Sequence, residues 1–175
     1  KQIRAGAVRV SGLAAPKPES QINPETAEVF WCGQRMNYQK FIYLMLYKPA
    51  GYISATWDAK WPTVLDLVPK EYLHFAPSPV GRLDRDTEGL CLLTNDGQLS
   101  HRLLSPAKHV PKTYYAEVRG CVTEEDTAAF LKGVTLDDGY HTKPGELTIL
   151  SAGAISKVHI TITEGKFHQV KRMFL

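Results

Sequence analysis

Residues 80–97 read VGRLDRDTEGLCLLTNDG, in which three carboxylates, Asp84, Asp86 and Glu88, stand at alternate positions behind a Gly-Arg turn. One such carboxylate can act as a covalent nucleophile, and two can divide acid and base duties across a glycosidic bond. The apolar residues 90–94 predict a short buried strand, closed by Asn95-Asp96-Gly97. A polar loop braced by such a strand is exposed but has little freedom, as a nucleophile requires. On composition alone the string equally describes a solvent-exposed acidic turn. Its surroundings decide.

Other chemistries find little support. The six histidines show no HExxH or similar ligand spacing. Cys32, Cys91 and Cys121 are odd in number and far apart, with no CxxC pair. We therefore expect reduced, mostly buried thiols in a cytosolic protein, without disulfide or metal. No dinucleotide motif is present, and no cofactor is expected. The most apolar stretch, residues 41–47, is far shorter than the about 18 residues of a membrane span and suits a buried strand. With no run long enough to span a bilayer, no membrane is expected as a partner. With 43% hydrophobic and 22% charged residues, the 175-residue chain has the make-up of a globular protein.

The net charge of +3 says less than its distribution. Lys1, Arg4, Arg9 and Lys17 open the chain with no acid among them. Arg102, Lys108, Lys112 and Arg119 are opposed by Glu117 alone, and Lys166, Lys171 and Arg172 by Glu164. The acids gather over residues 124–146. Separate basic blocks can form a polyanion-binding face, or can be ordinary solvated charge.

The elements that must position the loop can be placed from local signals. Residues 3–12 predict a helix end, a glycine turn and a short strand, and the Pro-rich residues 14–25 a loop. An apolar patch at 27–32 precedes the polar NYQK, residues 37–40, which we take as a linker with a domain boundary near residue 38. A strand over 41–47 ends at Lys48, Pro49 and Gly51, and Pro62 opens a short helical segment. Residues 98–104 have helical spacing up to Pro106, and 113–118 alternate like a strand. Thr123 is the N-cap of a helix with Glu124, Glu125 and Asp126 in its first turn, ending near Gly133. Strands over 146–150 and 157–163 follow, and 167–175 begin a further helix. Strands this closely spaced leave no room for regular βαβ crossovers. The expectation is an α+β fold with a mixed, largely antiparallel sheet flanked by helices.

Several of these segments together resemble one family. GRLDRDTEGLCLLTNDG is similar to the signature of the RsuA family of pseudouridine synthases. Lys48-Pro49-Ala50-Gly51-Tyr52 resembles its KPxGY element, KTYYAEV (residues 112–118) its K-x-Y strand, and ITEGKFHQVKRMF (162–174) its C-terminal motif. IRAGAVRVSG resembles the second half of an S4 RNA-binding domain, which precedes the catalytic domain in that family. The resemblance implies a partial S4-like domain and linker over residues 1–38 and a catalytic domain over 39–175, with the family's pattern extending beyond both ends.

It also implies roles. Asp84 is the essential carboxylate that attacks the target nucleoside, at the ribose or at C6 of the base. Tyr114 stacks on the extruded uracil and can take the C5 proton. Lys171 pairs with Asp84, as a point charge where relatives often carry the bidentate fork of Arg. Arg82 fills the gap left by the uridine or grips a neighbouring phosphate. Asp86 and Glu88 brace the loop, His168 and Gln169 hold the turn of the last motif, and Ile162 and Val170 form apolar walls or core. Arg4, Arg9, Lys48, Lys108, Lys112 and Arg172 are candidate RNA contacts. The implied reaction is uridine-to-pseudouridine isomerisation by a monomer on ribosomal RNA, naked or in an assembling ribosomal particle. The segment GYISATWDAKWPTVLDL and the HQVKRMF ending favour the branch acting on small-subunit RNA over the large-subunit branches. The competing classes are a non-catalytic RNA-binding relative and a glycoside hydrolase using two of Asp84, Asp86 and Glu88.

Overall fold

The computed structural model describes residues 1–36 and 38–175. Asn37, where the expected linker begins, lies outside the described residues. The chain divides into two compact units, Lys1–Ile42 and Tyr43–Leu175.

In the first unit, turns over residues 2–6 lead into strand β1 (Val8–Val10), and after the Pro-rich loop come β2 (Val29–Trp31) and β3 (Gln34–Met36). They pair antiparallel in the order β1-β2-β3. Cys32 and Gly33, with φ of 49° and 83°, make the two-residue turn between β2 and β3, the left-handed geometry that matches strand twist in a hairpin. Cys32 is consequently exposed, as is Cys121; of the three thiols only Cys91 is buried, which corrects the expectation of mostly buried cysteines.

The second unit runs β4 (Tyr43–Lys48), α1 (Lys70–Leu73), β5 (Ser78–Pro79), β6 (Gly89–Thr94), α2 (Gly97–Leu104), β7 (Lys112–Arg119), α3 (Glu124–Phe130), β8 (Glu146–Ser151), β9 (Ile155–Ile162) and α4 (Gln169–Arg172). Its strands form two antiparallel sheets, β4-β6-β5 and β7-β9-β8. Instead of one mixed sheet there are two small ones, and parallel pairing is confined to the isolated bridges Ile53–Thr63 and Gly120–Ile155.

Each sheet has its own core. Val158, Ile160 and Ile162, at alternate positions of β9, are buried with Leu147, Phe130, Leu136, Val122 and Met173. Cys91 and Leu93 of β6 pack with Val64 and Val68 from the 3-10 turn Val64–Leu67. Thr63 starts that turn by donating its N–H and hydroxyl to Asp66 (2.7 and 3.3 Å). Helix α3 begins in the same way, Thr123 donating to Asp126 (2.8 and 3.3 Å). Gly133, at φ +91°, follows it where a Cβ would lie 2.2 Å from the Thr142 carbonyl oxygen. No other residue fits there.

The buried strand expected over residues 41–47 is instead half-exposed. β4 alternates: Leu44 and Leu46 pack on the Val64 cluster, while Tyr43, Met45 and Tyr47 face solvent. On β6 Leu90 is likewise exposed. An apolar run does not tell a strand covered on two faces from one covered on a single face.

Candidate active site

The loop joining β5 to β6 carries Asp84, and the segment after β4 holds it from below. Val80 N–H donates to the Leu92 carbonyl (2.7 Å), anchoring the loop to β6. Gly81 takes the positive φ the turn requires (+89°). At Leu83 the backbone is fixed twice, its N–H donating to Ser54 Oγ and its carbonyl accepting from it, both at 2.9 Å. Gly51 N–H donates to the Arg85 carbonyl (2.8 Å), and Thr87 N–H closes a turn on the Asp84 carbonyl (3.1 Å). The nucleophile candidate is thus flanked on both sides by clamped peptide units.

Lys48 completes the clamp. Its side chain is fully buried, and Nζ donates to the carbonyls of Thr87 (2.7 Å), Pro49 (3.0 Å) and Arg85 (3.3 Å). Burial pushes its pKa down, against the attraction of Cys91, Asp86, Glu88 and Asp84. This overturns its expected RNA contact: the amine is spent on main-chain oxygens and does not reach solvent.

The second half of the site comes from the chain end. Glu164 is buried, its Oε1 accepting from Gln169 Nε2 (2.8 Å) and Lys143 N–H (3.0 Å) and its Oε2 from Tyr140 OH (2.8 Å). Burial raises its pKa, but these hydrogen bonds and Lys166 outweigh burial and leave it lowered. Gln169 Oε1 accepts from Lys166 N–H (2.8 Å), so the side chain of Gln169 locks the turn that opens α4. His168, in that turn, takes the left-handed conformation (φ 48°).

Lys171 on α4 meets the loop. Its Nζ lies 3.2 Å from Asp84 Oδ2 and 2.6 Å from Asp86 Oδ1. The hydrogen bond to Asp86 is the first cause of the raised Lys171 pKa and of the lowered Asp86 pKa. His168 Nε2 stands 3.6 Å from Asp84 Oδ1. Tyr114 on β7 is half-buried, its phenol pushed up by burial first and then by the Asp84 charge. Tyr115 points to the other face, exposed and bonded to Glu117 (2.8 Å). Lys171 and His168 thus meet Asp84 directly, and Tyr114 lies close enough to feel its charge.

The remaining expected contacts separate. Arg82 is exposed and makes no hydrogen bond or ion pair among the described residues. Lys112 is half-buried, Nζ donating to the Val110 carbonyl (3.1 Å). Arg172 is engaged by carboxylates. It pairs with Asp137 and Asp138 (2.8 Å), donates to the Phe167 carbonyl (3.3 Å) and ties α4 to the acidic turn after Leu136. Its side chain is 13% exposed, so its charge is largely committed to these acids. Arg4 and Arg9, exposed, belong to the first unit, where Arg9 lies over the Phe30 ring (5.4 Å).

Sequence reasoning missed the part of His168 beside Asp84, the Ser54 brace and the stacking of Arg85 on Trp61 (3.9 Å). His168 is three residues before Lys171, a spacing that places both on the same turn of a nascent helix. Nothing local marks Ser54.

The site thus presents a clamped, half-exposed carboxylate facing an ammonium, with a half-buried phenol under the influence of its charge. It suits a hydrolase poorly. The adjacent carboxyl of Asp86 is held down by Lys171, whereas a glycosidase acid needs a raised pKa. Residues 42–175 match the RNA pseudouridylate synthase family model. The chain belongs to that family and is an RNA pseudouridine synthase. It is 48% identical over 172 residues to an uncharacterised RNA pseudouridine synthase of Bacillus subtilis, covering 98% of this chain and 72% of that one. It is 40% identical over 175 residues to the ribosomal small subunit pseudouridine synthase A of Salmonella typhimurium, covering 99% and 74%. A crystal structure of a pseudouridylate synthase superposes with a TM-score of 0.70 at 36% identity, over 99% of this chain and 73% of that one. The human RNA pseudouridylate synthase domain containing 4 shares the fold alone, with a TM-score of 0.52 at 17% identity over 77% and 60%.

Proposed function

We propose that the chain isomerises a specific uridine of small-subunit ribosomal RNA to pseudouridine, with Asp84 as nucleophile. The observation that carries the reading is the placing of Asp84 Oδ2 3.2 Å from Lys171 Nζ on a loop clamped from beneath by Lys48, Gly51 and Ser54. Asp84 attacks the extruded nucleoside and the N1–C1′ bond breaks. The uracil turns within the site and C5 bonds to C1′, the covalent bond to Asp84 breaks and the carboxylate is released, the C5 proton leaves and N1 gains one. Atoms balance without oxidant or co-reactant, so no cofactor enters. Tyr114, its phenol raised by burial and by Asp84, is neutral at pH 7, which favours its stacking on the uracil over service as a base. Arg82 occupies the gap in the RNA stack. Lys112 lies on the same strand as Tyr114 and serves the RNA backbone nearby.

The small-subunit assignment is supported by the 40% identity to the small-subunit synthase of Salmonella typhimurium. On the same reading the first unit, with exposed Arg4 and Arg9, is an S4-like RNA-binding module that grips the transcript or assembling subunit by its phosphates. The protein acts in the cytoplasm as a monomer, during ribosome assembly.

Asp84→Asn tests the chemistry. The variant keeps RNA affinity, but release of tritium from RNA carrying 5-tritiated uridine falls at least 1,000-fold, about the loss expected when a covalent nucleophile is removed. Substantial residual product removes Asp84 from the role. Mapping pseudouridines in ribosomal RNA from cells lacking the protein tests the target. A site lost from large-subunit RNA overturns the small-subunit assignment.

A further inference from the structure

A cluster that the reaction does not use lies next to Asp84. Residues 57–61 read WDAKW, and the two indoles are 76% and 39% exposed at Trp57 and Trp61. Asp58 Oδ1 accepts from the N–H groups of Lys60 (2.8 Å) and Trp61 (2.9 Å), so its charge is engaged in folding the turn. The Arg85 guanidinium lies 3.9 Å from the centroid of the Trp61 ring, with Lys60 Nζ at 5.0 Å from the same centroid. The Arg85 carbonyl is held by Gly51 N–H and Lys48 Nζ (2.8 and 3.3 Å). The residue following Asp84 is therefore fixed at its backbone and held over the Trp61 ring at its side chain.

We infer that Trp57, Trp61 and Arg85 form a platform for the single-stranded RNA flanking the extruded uridine, a reading that rests on the isomerase function proposed above. A guanidinium stacked on an indole keeps its N–H edge free for phosphate oxygens while its planar body is held still. An exposed indole offers a flat apolar face on which any base stacks, so such a surface holds the strand without choosing its sequence. The charges fit a polyanion: Lys60, Arg82 and Arg85 stand in this segment and loop, while Asp58 is engaged by backbone and Asp84 and Asp86 by Lys171. The position fits as well. A nucleotide flipped to Asp84 leaves its neighbours splayed beside residue 85, where a stack of protein rings can replace the lost base stacking.

The test combines equilibrium binding of a fluorescein-labelled, uridine-containing single-stranded RNA with steady-state tritium release. Trp57→Ala, at an exposed residue, leaves the circular dichroism and melting of the protein unchanged. It weakens RNA binding about 5- to 100-fold, as does Trp61→Ala, and Trp61→Phe restores most of the loss. In turnover the loss falls on KM with kcat held within a few-fold. Binding by both alanine variants equal to wild type overturns the platform, even if the patch captures a protein instead. Should the wild type form no pseudouridine in small-subunit ribosomal RNA while the tryptophan variants still lose RNA binding, the small-subunit reading fails and the platform stands. Intact turnover with unaltered binding sinks the platform alone.

Discussion

Lys171 is one ammonium between two carboxylates, and the closer one is Asp86, not the proposed nucleophile Asp84. Nζ is 2.6 Å from Asp86 and 3.2 Å from Asp84. All three groups are partly exposed, so the net energy of these pairs is small. Their effect is on geometry and local potential. A single cation keeps two like charges on one turn from driving each other apart, and on the proposed reading Asp86 fixes the ammonium and leaves Asp84 to act on the nucleoside. Lys171→Met therefore costs about 100-fold in kcat, the scale of a misplacement of about 1 Å at a reacting atom, with little change in RNA affinity. Lys171→Arg retains more activity because a guanidinium can bridge both carboxylates. Asp86→Asn frees the ammonium for Asp84 and keeps kcat within about tenfold of wild type. Single-turnover tritium release on saturating RNA reads all three. A full-strength Lys171→Met enzyme rejects the positioning role.

At the scale of elements, the loop is held by hydrogen bonds that residue types do not announce. The acidic string, the strand after it, the helical spacing over 98–104 and the helix capped at Thr123 were legible, because each depends on neighbours in sequence. The lysine at 48 was legible as part of a turn, not as a buried one. Its three carbonyl partners lie on either side of a separation of some forty residues, and only the folded β4–β6 pair brings them together. The same holds for Arg172, a candidate RNA contact by sequence whose partners Asp137 and Asp138 lie some thirty-five residues away. Long-range pairing spends charges that composition counts as available. Lys48→Met consequently removes the clamp and leaves the carbonyls of Pro49 and Thr87 without it, at a cost of about 2 kcal/mol or more. Urea unfolding shows the loss as a lower midpoint at unchanged slope. Wild-type stability in the variant rejects the clamp.

For the molecule as a whole, the charges divide between two units of different character. In the second unit several cations are already engaged: Lys48 by carbonyls, Lys171 and Arg172 by carboxylates. In the first unit Arg4 and Arg9 are exposed, with Arg9 over the Phe30 ring. A modest net charge of +3 thus conceals an uneven supply of cations for phosphate. If the first unit grips RNA by its backbone, its arginines govern affinity and salt dependence while the site on the second unit governs turnover. Arg4→Ala and Arg9→Ala each lower the slope of log affinity against log salt by about 1 on structured ribosomal RNA. The loss is the same across unrelated sequences, since a phosphate carries no sequence information, and kcat at saturating RNA is unchanged. Asp84→Asn has the opposite signature, a full salt slope with no turnover. An arginine variant with an unaltered slope shows that the first unit does not hold the phosphates, and the grip then falls to the surface around the loop of Asp84.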